Sequence, residues 1–159
     1  IGHDLAKRLE PFKVEIAYSG PNPKAVPYTY YPDIQDLAAA SDVLFLACPA
    51  TPTTDKMINS KVLEALGPAG YLINIARGNV VDEAALLYAL QHKTIAGAAL
   101  DVFENEPNPN PAFLSLNNVL LTPHIGSATS ETRIAMTNLA VDNLEAFFKQ
   151  KPLPSEVKN

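Results

Sequence analysis

The sequence predicts an α/β fold in which helices cover a parallel β-sheet. Apolar runs of strand length alternate with segments of helical periodicity, a pattern typical of parallel strands joined by right-handed crossovers. The composition, 47% hydrophobic and 18% charged over 159 residues, is that of one globular domain with a core of its own. The net charge of −5 without a basic run argues against nucleic acid or an anionic membrane surface as the main partner.

The first half of the chain gives two helices and two strands. Residues 2–9 have helical apolar spacing, and residues 13–18 alternate and are rich in β-forming residues. Residues 19–32 are punctuated by prolines and glycine, which predicts a loop. An aspartate in the N-cap position begins a short helix over 33–40. Residues 42–48 form a continuous apolar run, which predicts a strand covered on both faces.

The second half continues the same alternation. Helices are predicted over residues 59–66, 82–92 and 129–149, and strands over residues 71–76, 95–102 and 118–121. The small residues of the strand at 95–102 allow a helix to approach closely. A loose tail is predicted after Pro152.

Polar side chains follow three of the predicted strands. Arg77 follows one strand, Asp101 lies near the end of the next with Glu104 and Glu106 just beyond it, and His124 follows the third. In an open α/β sheet, ligands bind at the carboxyl ends of the strands. A histidine with a carboxylate nearby can move a proton near neutral pH. The alternatives are a surface salt bridge for the arginine, a turn cap for the aspartate, and plain surface positions for the others.

The remaining titratable residues predict no second site. Cys48 is the single cysteine, so it cannot form an internal disulfide, and we interpret it as a packed thiol rather than a nucleophile. His3 and His92 lie on predicted helices and are interpreted as surface residues. We expect a cytoplasmic protein, no membrane partner and no metal site, since no apolar run is long enough to span a bilayer.

Three motifs at strand ends carry a family resemblance. N-I-A-R-G at 74–78, L-D-V-F-E-N-E-P at 100–107 and P-H-I-G-S-A-T at 123–129 together resemble the NAD(P)-binding domain of the D-2-hydroxyacid dehydrogenases. A-C-P-A-T-P at 47–52 and the segment 67–78 are most similar to glyoxylate/hydroxypyruvate and hydroxyphenylpyruvate reductases. The resemblance covers essentially the whole chain and implies a Rossmann-type, doubly wound parallel sheet.

The resemblance implies reduction of a small 2-oxo acid to a D-2-hydroxy acid. His124 would be the proton donor and acceptor, and Glu106 would hold its ring, with Glu104 as the alternative partner. Arg77 would bind the substrate carboxylate, and Asp101 would accept from the nicotinamide carboxamide. Further cofactor contacts are implied for Ile75, Ala76, Gly126 and Ser127 in the same cleft, and for Pro49 and Thr54 on the adenosine side.

The cofactor choice depends on the segment after the second strand of the family fold. NAD-preferring sites carry a carboxylate there, roughly twenty residues past the glycine loop, which bonds the ribose 2′-hydroxyl. This chain has Tyr18, Ser19 and Gly20 instead, with Asn22 and Lys24 beyond them. We therefore expect NADP(H) to be favoured through Ser19 and Lys24. NAD(H) stays possible because the loop has no arginine.

The resemblance also implies what surrounds this chain. Ile1 and Gly2 would be the last two residues of a G-x-G-x-I-G phosphate loop, so Ile1 is expected to contact cofactor and not to be the biological start. The first strand and most of a substrate domain would then lie elsewhere, with residues 1–150 as the nucleotide domain and 151–159 as a tail. A homodimer is expected. The rival hypothesis is a dinucleotide-gated binding protein of the corepressor type, which could keep the same three residues, Arg77, Glu106 and His124.

Overall fold

The computed structural model describes residues 1–157 and contains the five predicted helices. Their bounds are α1 Gly2–Leu9, α2 Ile34–Ala39, α3 Ser60–Leu66, α4 Glu83–Gln91 and α5 Ser130–Phe148. The strands are β1 Ala17–Tyr18, β2 Thr29–Tyr30, β3 Val43–Leu46, β4 Tyr71–Asn74, β5 Gly97–Leu100 and β6 Val119–Leu121. Each helix begins and ends at, or next to, its predicted residues.

Polar caps explain why the helix starts were predictable. The side chains of Asp33, Asn59, Asp82 and Thr129 each accept a hydrogen bond from a backbone N–H in the first turn of α2, α3, α4 and α5. Such a cap satisfies donors that have no partner within the helix. A short polar residue in front of an apolar periodic segment therefore fixes where each of these helices begins.

The strands form two parallel sheets. Strands β3, β4, β5 and β6 make a four-stranded sheet in that order, and β1 pairs with β2 in a second sheet. Leu46 is in register with Asn74, Asn74 with Leu100, and Leu100 with Leu121. The carboxyl ends of the four strands thus meet at one edge, which confirms the predicted parallel α/β architecture.

The region before residue 33 differs from the sequence prediction. The strand predicted over 13–18 is reduced to β1, and the predicted loop 19–32 contains β2, which pairs with β1. Prolines on both sides of β2 removed the usual strand signal, and a two-residue strand is too short to show alternation. Its existence depends on its partner strand rather than on local sequence.

Buried side chains alternate with more exposed ones along strands β3 and β4. Leu44 and Leu46 of β3 are buried, and so are Leu72 and Asn74 of β4, whereas the residues between them are partly or largely exposed. Val43 is 43% exposed, so the prediction that this strand is covered on both faces is wrong for the described chain. An apolar run shows that each side chain tolerates burial, but not which face is packed.

The described chain forms two compact units, residues 1–123 and a second unit that begins at His124. Within the second unit, the Asn143 amide donates to Ser155 Oγ (2.8 Å) and accepts from the Ser155 N–H (3.3 Å), so the segment after α5 is anchored rather than loose. Residues 158–159 of the predicted tail lie outside the described residues. No helix within residues 1–157 has the length and apolar character needed to cross a membrane.

Candidate active site

The candidate site lies at the carboxyl edge of the four-stranded sheet. Pro49 follows β3, the segment 75–77 follows β4, and Asp101 follows β5 directly. Because these strands are parallel and in register, the residues that follow them lie at the same edge of the sheet. The structure therefore brings these predicted residues of the first unit to one edge, as the sequence indicated.

The backbone that carries Arg77 is held by Asn74, the last residue of β4. Asn74 is 1% exposed and is the one buried polar residue of the described chain. Its Oδ1 accepts from the Ala76 N–H (3.0 Å), and its Nδ2 donates to the Arg77 carbonyl (3.0 Å). One amide side chain therefore holds the Ala76 N–H and the Arg77 carbonyl, on either side of the peptide that joins Ala76 to the predicted substrate-binding arginine. The Ile75 N–H is used as well, because it donates to the Leu46 carbonyl (3.3 Å).

The guanidinium of Arg77 is exposed and folds back on its own backbone. Its Nη1 donates to the Ala76 carbonyl at 2.6 Å. A guanidinium has five N–H donors in a planar fork. This bond therefore leaves enough donors for bidentate contact with a carboxylate.

Gly78 is required by a close backbone approach. A Cβ at this position would lie 1.9 Å from the Phe103 carbonyl carbon, 2.0 Å from its oxygen and 2.3 Å from the Glu104 nitrogen. A side chain at position 78 would therefore overlap the backbone of residues 103–104. The absence of a side chain packs the Arg77 segment against the segment that carries Glu106.

Asp101 is oriented by a neighbour from the adjacent strand end. Thr122, which follows β6, donates its hydroxyl to Asp101 Oδ1 at 2.6 Å. The Asp101 N–H donates to the Asn74 carbonyl at 3.0 Å. Both the carboxylate and the backbone of Asp101 are therefore tied to the neighbouring strands, and its role toward nicotinamide stays a prediction.

The two candidate glutamates have different surroundings. Glu104 Oε1 lies 3.8 Å from the Lys56 ammonium, an ion pair whose side chains are both about half exposed. Glu106 Oε1 accepts from the Phe103 N–H at 3.1 Å. The backbone bond turns the Glu106 carboxylate toward the end of β5, whereas Glu104 is engaged by a lysine. The choice of Glu106 over Glu104 as the functional carboxylate stays a prediction.

His124 begins the second unit and has an unusual backbone. Its φ is +54°, in the left-handed region that residues with a Cβ seldom adopt. Such conformations cluster at functional sites, where the surrounding structure maintains them. Gly126 and Ser127 lie in the exposed turn that follows, closed by a bond from the Ala128 N–H to the Ile125 carbonyl (3.0 Å). The pairing of His124 with Glu106, and cofactor contacts from this turn, stay predictions.

The residues predicted on the adenosine side lie in two loops. Thr54 donates its hydroxyl to the Pro49 carbonyl (2.8 Å) and accepts from the Thr51 N–H (2.8 Å), so its side chain shapes the loop after β3. Ser19 and Lys24 belong to the loop after β1. Ile1 is the exposed N-cap residue of α1. Their contacts with a dinucleotide stay predictions.

Cys48 follows β3 and is half-buried. Burial raises the pKa of its thiol, and a hydrogen bond to its own backbone opposes this only in part. A raised pKa keeps the group neutral at physiological pH, which supports the interpretation as a packed thiol. No group of three or more histidine, cysteine or acidic residues suited to a metal occurs among residues 1–157.

Sequence reasoning missed the residues that hold the site. Three such side chains contact backbone groups or an acidic side chain, not substrate or cofactor: Asn74, Thr122 and Tyr18. Asn74 could have been noticed as the polar residue inside the apolar run Y-L-I-N-I-A, because a polar side chain at a buried strand position needs internal partners. The other two carry no comparable signal in the sequence.

Comparisons with known proteins agree with this architecture. Residues 1–126 match the family model described as D-isomer specific 2-hydroxyacid dehydrogenase, NAD binding domain. A 2-ketogluconate reductase from Gluconobacter oxydans is 53% identical over 158 residues, which are 99% of this chain and 51% of that protein. A hydroxyphenylpyruvate reductase from Plectranthus scutellarioides is 49% identical over 158 residues, 99% of this chain and 50% of that protein.

A solved structure is similar over the same extent. The NADPH-dependent glyoxylate/hydroxypyruvate reductase from Sinorhizobium meliloti, in complex with NADP and malonate, has 51% sequence identity and a TM-score of 0.96. The match covers 99% of this chain and 50% of that one, so this chain spans about half the length of the relatives that it matches. The family resemblance is confirmed: the chain belongs to the D-isomer specific 2-hydroxyacid dehydrogenases, and residues 1–126 match the NAD-binding domain of that family.

Proposed function

We propose that the protein reduces small 2-oxo acids, such as glyoxylate and hydroxypyruvate, to D-2-hydroxy acids with NADPH. The observation that carries this proposal is the placement of Arg77, Asp101 and Glu106 after neighbouring parallel strands in a member of this family. These residues supply an anion-binding fork, a carboxylate for the cofactor and a carboxylate for proton transfer. The malonate and NADP bound by the Sinorhizobium relative are a small dicarboxylate and a phosphorylated dinucleotide, which supports the same assignment.

Arg77 is proposed to bind the substrate carboxylate. Its side chain is exposed, and its backbone is fixed through Asn74 and Gly78, so the guanidinium can swing while its base stays in place. Two parallel N–H donors match the two oxygens of a carboxylate, which orients the adjacent carbonyl carbon. A lysine would offer only a point charge at this position.

His124 is proposed to transfer the proton and Glu106 to hold the imidazole. The bound cofactor would supply the hydride to the substrate carbonyl carbon. The carbonyl oxygen then gains negative charge and takes a proton from His124, and Glu106 would stabilise the protonated ring. General acid catalysis of this kind contributes roughly a hundred- to ten-thousand-fold.

A bulkier 2-oxo acid is the second candidate substrate. The relatives named 2-ketogluconate reductase and hydroxyphenylpyruvate reductase are 53% and 49% identical to this chain. Arg77, Glu106 and His124 would act on the 2-oxo acid group that these substrates share, so these residues do not distinguish the substrates. Glyoxylate, hydroxypyruvate, hydroxyphenylpyruvate and 2-ketogluconate therefore belong in one assay.

The test is the loss of NADPH absorbance with protein from the complete gene and each of these acids, with NADH run in parallel. We expect turnover that falls by at least a hundredfold in His124→Gln and Arg77→Lys. His92→Gln is the matched control, because this histidine at the end of α4 stacks on Tyr88 and its Nδ1 donates to the Tyr88 carbonyl (2.9 Å). Dinucleotide binding without turnover on any of the acids would favour the gated binding protein instead.

We further propose that the protein is a cytoplasmic homodimer and that residues 1–150 serve as its nucleotide domain, with 151–159 as a tail. The family membership supports the dimer, and the single cysteine is consistent with a reducing compartment. Light scattering on the eluted protein should give twice the mass of one chain, and fractionation of cells should place it with cytoplasmic markers. A monomeric mass or an exported protein would contradict these points.

A further inference from the structure

We propose that Tyr18 and Tyr30 determine cofactor preference by holding the loop at residues 19–24 in the shape that presents Ser19 and Lys24 to the 2′-phosphate of NADPH. They are positioning residues, since they act through the loop and not by touching the cofactor. This inference rests on the proposed NADPH-dependent function and extends it to residues that carry no family motif.

The Tyr18 hydroxyl closes the loop at Lys24. It accepts a hydrogen bond from the Lys24 N–H at 2.6 Å and donates to the Lys24 carbonyl at 3.3 Å. One phenolic oxygen therefore ties both peptide groups of Lys24 to the end of β1. The base of the lysine side chain is fixed, although the side chain itself is exposed.

Tyr30 holds the first part of the same loop. Its hydroxyl donates to the Gly20 carbonyl at 2.9 Å. Tyr30 pairs with Tyr18 across the β1–β2 sheet, and the two rings lie 5.3 Å apart between centroids at an angle of 46°. The two hydroxyls thus hold opposite ends of the loop from one aromatic pair, which we call the tyrosine clamp.

The loop needs such a clamp because its own structure is sparse. It contains Pro21 and Pro23, which limit the backbone but remove two N–H donors. The Lys24 ammonium forms no ion pair with a carboxylate of residues 1–157, so its charge is available. A loop ordered in advance loses less entropy when it binds a phosphate.

The clamp affects only the cofactor that carries the extra phosphate. Ser19 and Lys24 can donate charge-assisted hydrogen bonds to a 2′-phosphate, whereas the 2′-hydroxyl of NADH offers no charge to them. Loosening the loop should therefore weaken NADPH binding and leave NADH binding nearly unchanged. A change in general stability would weaken both cofactors alike.

The test compares Tyr18→Phe, Tyr30→Phe and the double variant in protein from the complete gene. These changes keep the aromatic pair and remove only the hydroxyls. Tyr28→Phe is the matched control, because the Tyr28 hydroxyl donates to Glu10 Oε1 (2.7 Å) and not to the loop. The dissociation constants of NADPH and NADH are measured by quenching or transfer of nicotinamide fluorescence, and a thermal melt checks folding.

We expect NADPH to bind about three- to tenfold more weakly in each single variant, with the NADH constant changed by less than about twofold. Tyr28→Phe should have the same ratio of NADPH to NADH dissociation constants as the parent. If the parent prefers NADPH and the double variant has the same ratio of NADPH to NADH dissociation constants, the tyrosine clamp is refuted and the proposed function stays intact. A parent that binds NADH more tightly than NADPH would overturn the cofactor proposal itself.

Discussion

Replacing Asn74 by leucine tests whether the strand-end amide positions Arg77. Leucine is close in size but can neither accept from the Ala76 N–H nor donate to the Arg77 carbonyl. The Ala76 N–H is buried and would lose its partner, while the Arg77 carbonyl also accepts from the Val80 N–H (3.2 Å). An orphaned buried donor costs about 1–3 kcal/mol and the second lost bond about 1 kcal/mol, so the free energy of unfolding should fall by about 2–4 kcal/mol.

The kinetic effect separates positioning from simple loss of stability. A shift of about 1 Å in a substrate-binding group can cost on the order of a hundredfold in rate. We therefore expect kcat/KM for the 2-oxo acid to fall by about that factor at a temperature where the variant is fully folded. The loss should appear mainly in KM for the acid, and the KM for NADPH should change little.

Asn118→Leu is the matched control for this experiment. Asn118 precedes β6 at the opposite edge of the sheet, and its Nδ2 donates to the Leu90 (3.1 Å) and Ala96 (3.4 Å) carbonyls. The Asn118→Leu substitution should lower the free energy of unfolding, measured by urea denaturation, but leave kcat/KM within about twofold of the parent. Equal values of kcat/KM for the two variants would refute the positioning role of Asn74.

Three further predictions concern the same edge of the sheet. Gly78→Ala should destabilise the fold by at least about 2 kcal/mol in urea, because its Cβ would overlap the Phe103 carbonyl; a variant as stable as the parent would contradict the close approach. Thr122→Val removes the 2.6 Å bond to Asp101 and should raise the KM values of NADPH and NADH by a similar factor of several-fold, whereas a change for one cofactor alone would speak against an Asp101–nicotinamide contact. Burial raises the folded-state pKa of Cys48, so its contribution to stability is present below the unfolded pKa and is lost as pH rises through the folded pKa. Iodoacetamide should accordingly alkylate the native thiol more slowly than the unfolded one at pH 8, and equal rates would contradict the burial effect.

The helices and the central sheet could be predicted because their signals are local. A capping side chain such as Asp33 or Asn59 precedes the starts of α2, α3, α4 and α5, and apolar runs of strand length mark the strands. Strand β2 could not be predicted, since its two residues gain their structure from pairing with β1. The partial exposure of Val43 could not be predicted either, because an apolar residue is compatible with either face of a sheet.

The same distinction, between signals that are local in the sequence and contacts that depend on the tertiary structure, applies to the candidate site. Residues proposed to meet ligands, such as Arg77 and Glu106, are exposed charged groups in the segments that follow apolar strands, and that change in polarity is visible in the sequence. Residues that hold the site act on backbone groups brought close by the fold, as Asn74 does for Ala76 and Tyr18 does for Lys24. No spacing rule encodes such contacts, because the partners are whatever peptide groups the tertiary structure leaves unpaired. Exchanging only ligand-facing residues between members of this family should therefore transfer specificity incompletely, unless the side chains that hold their backbone are exchanged with them.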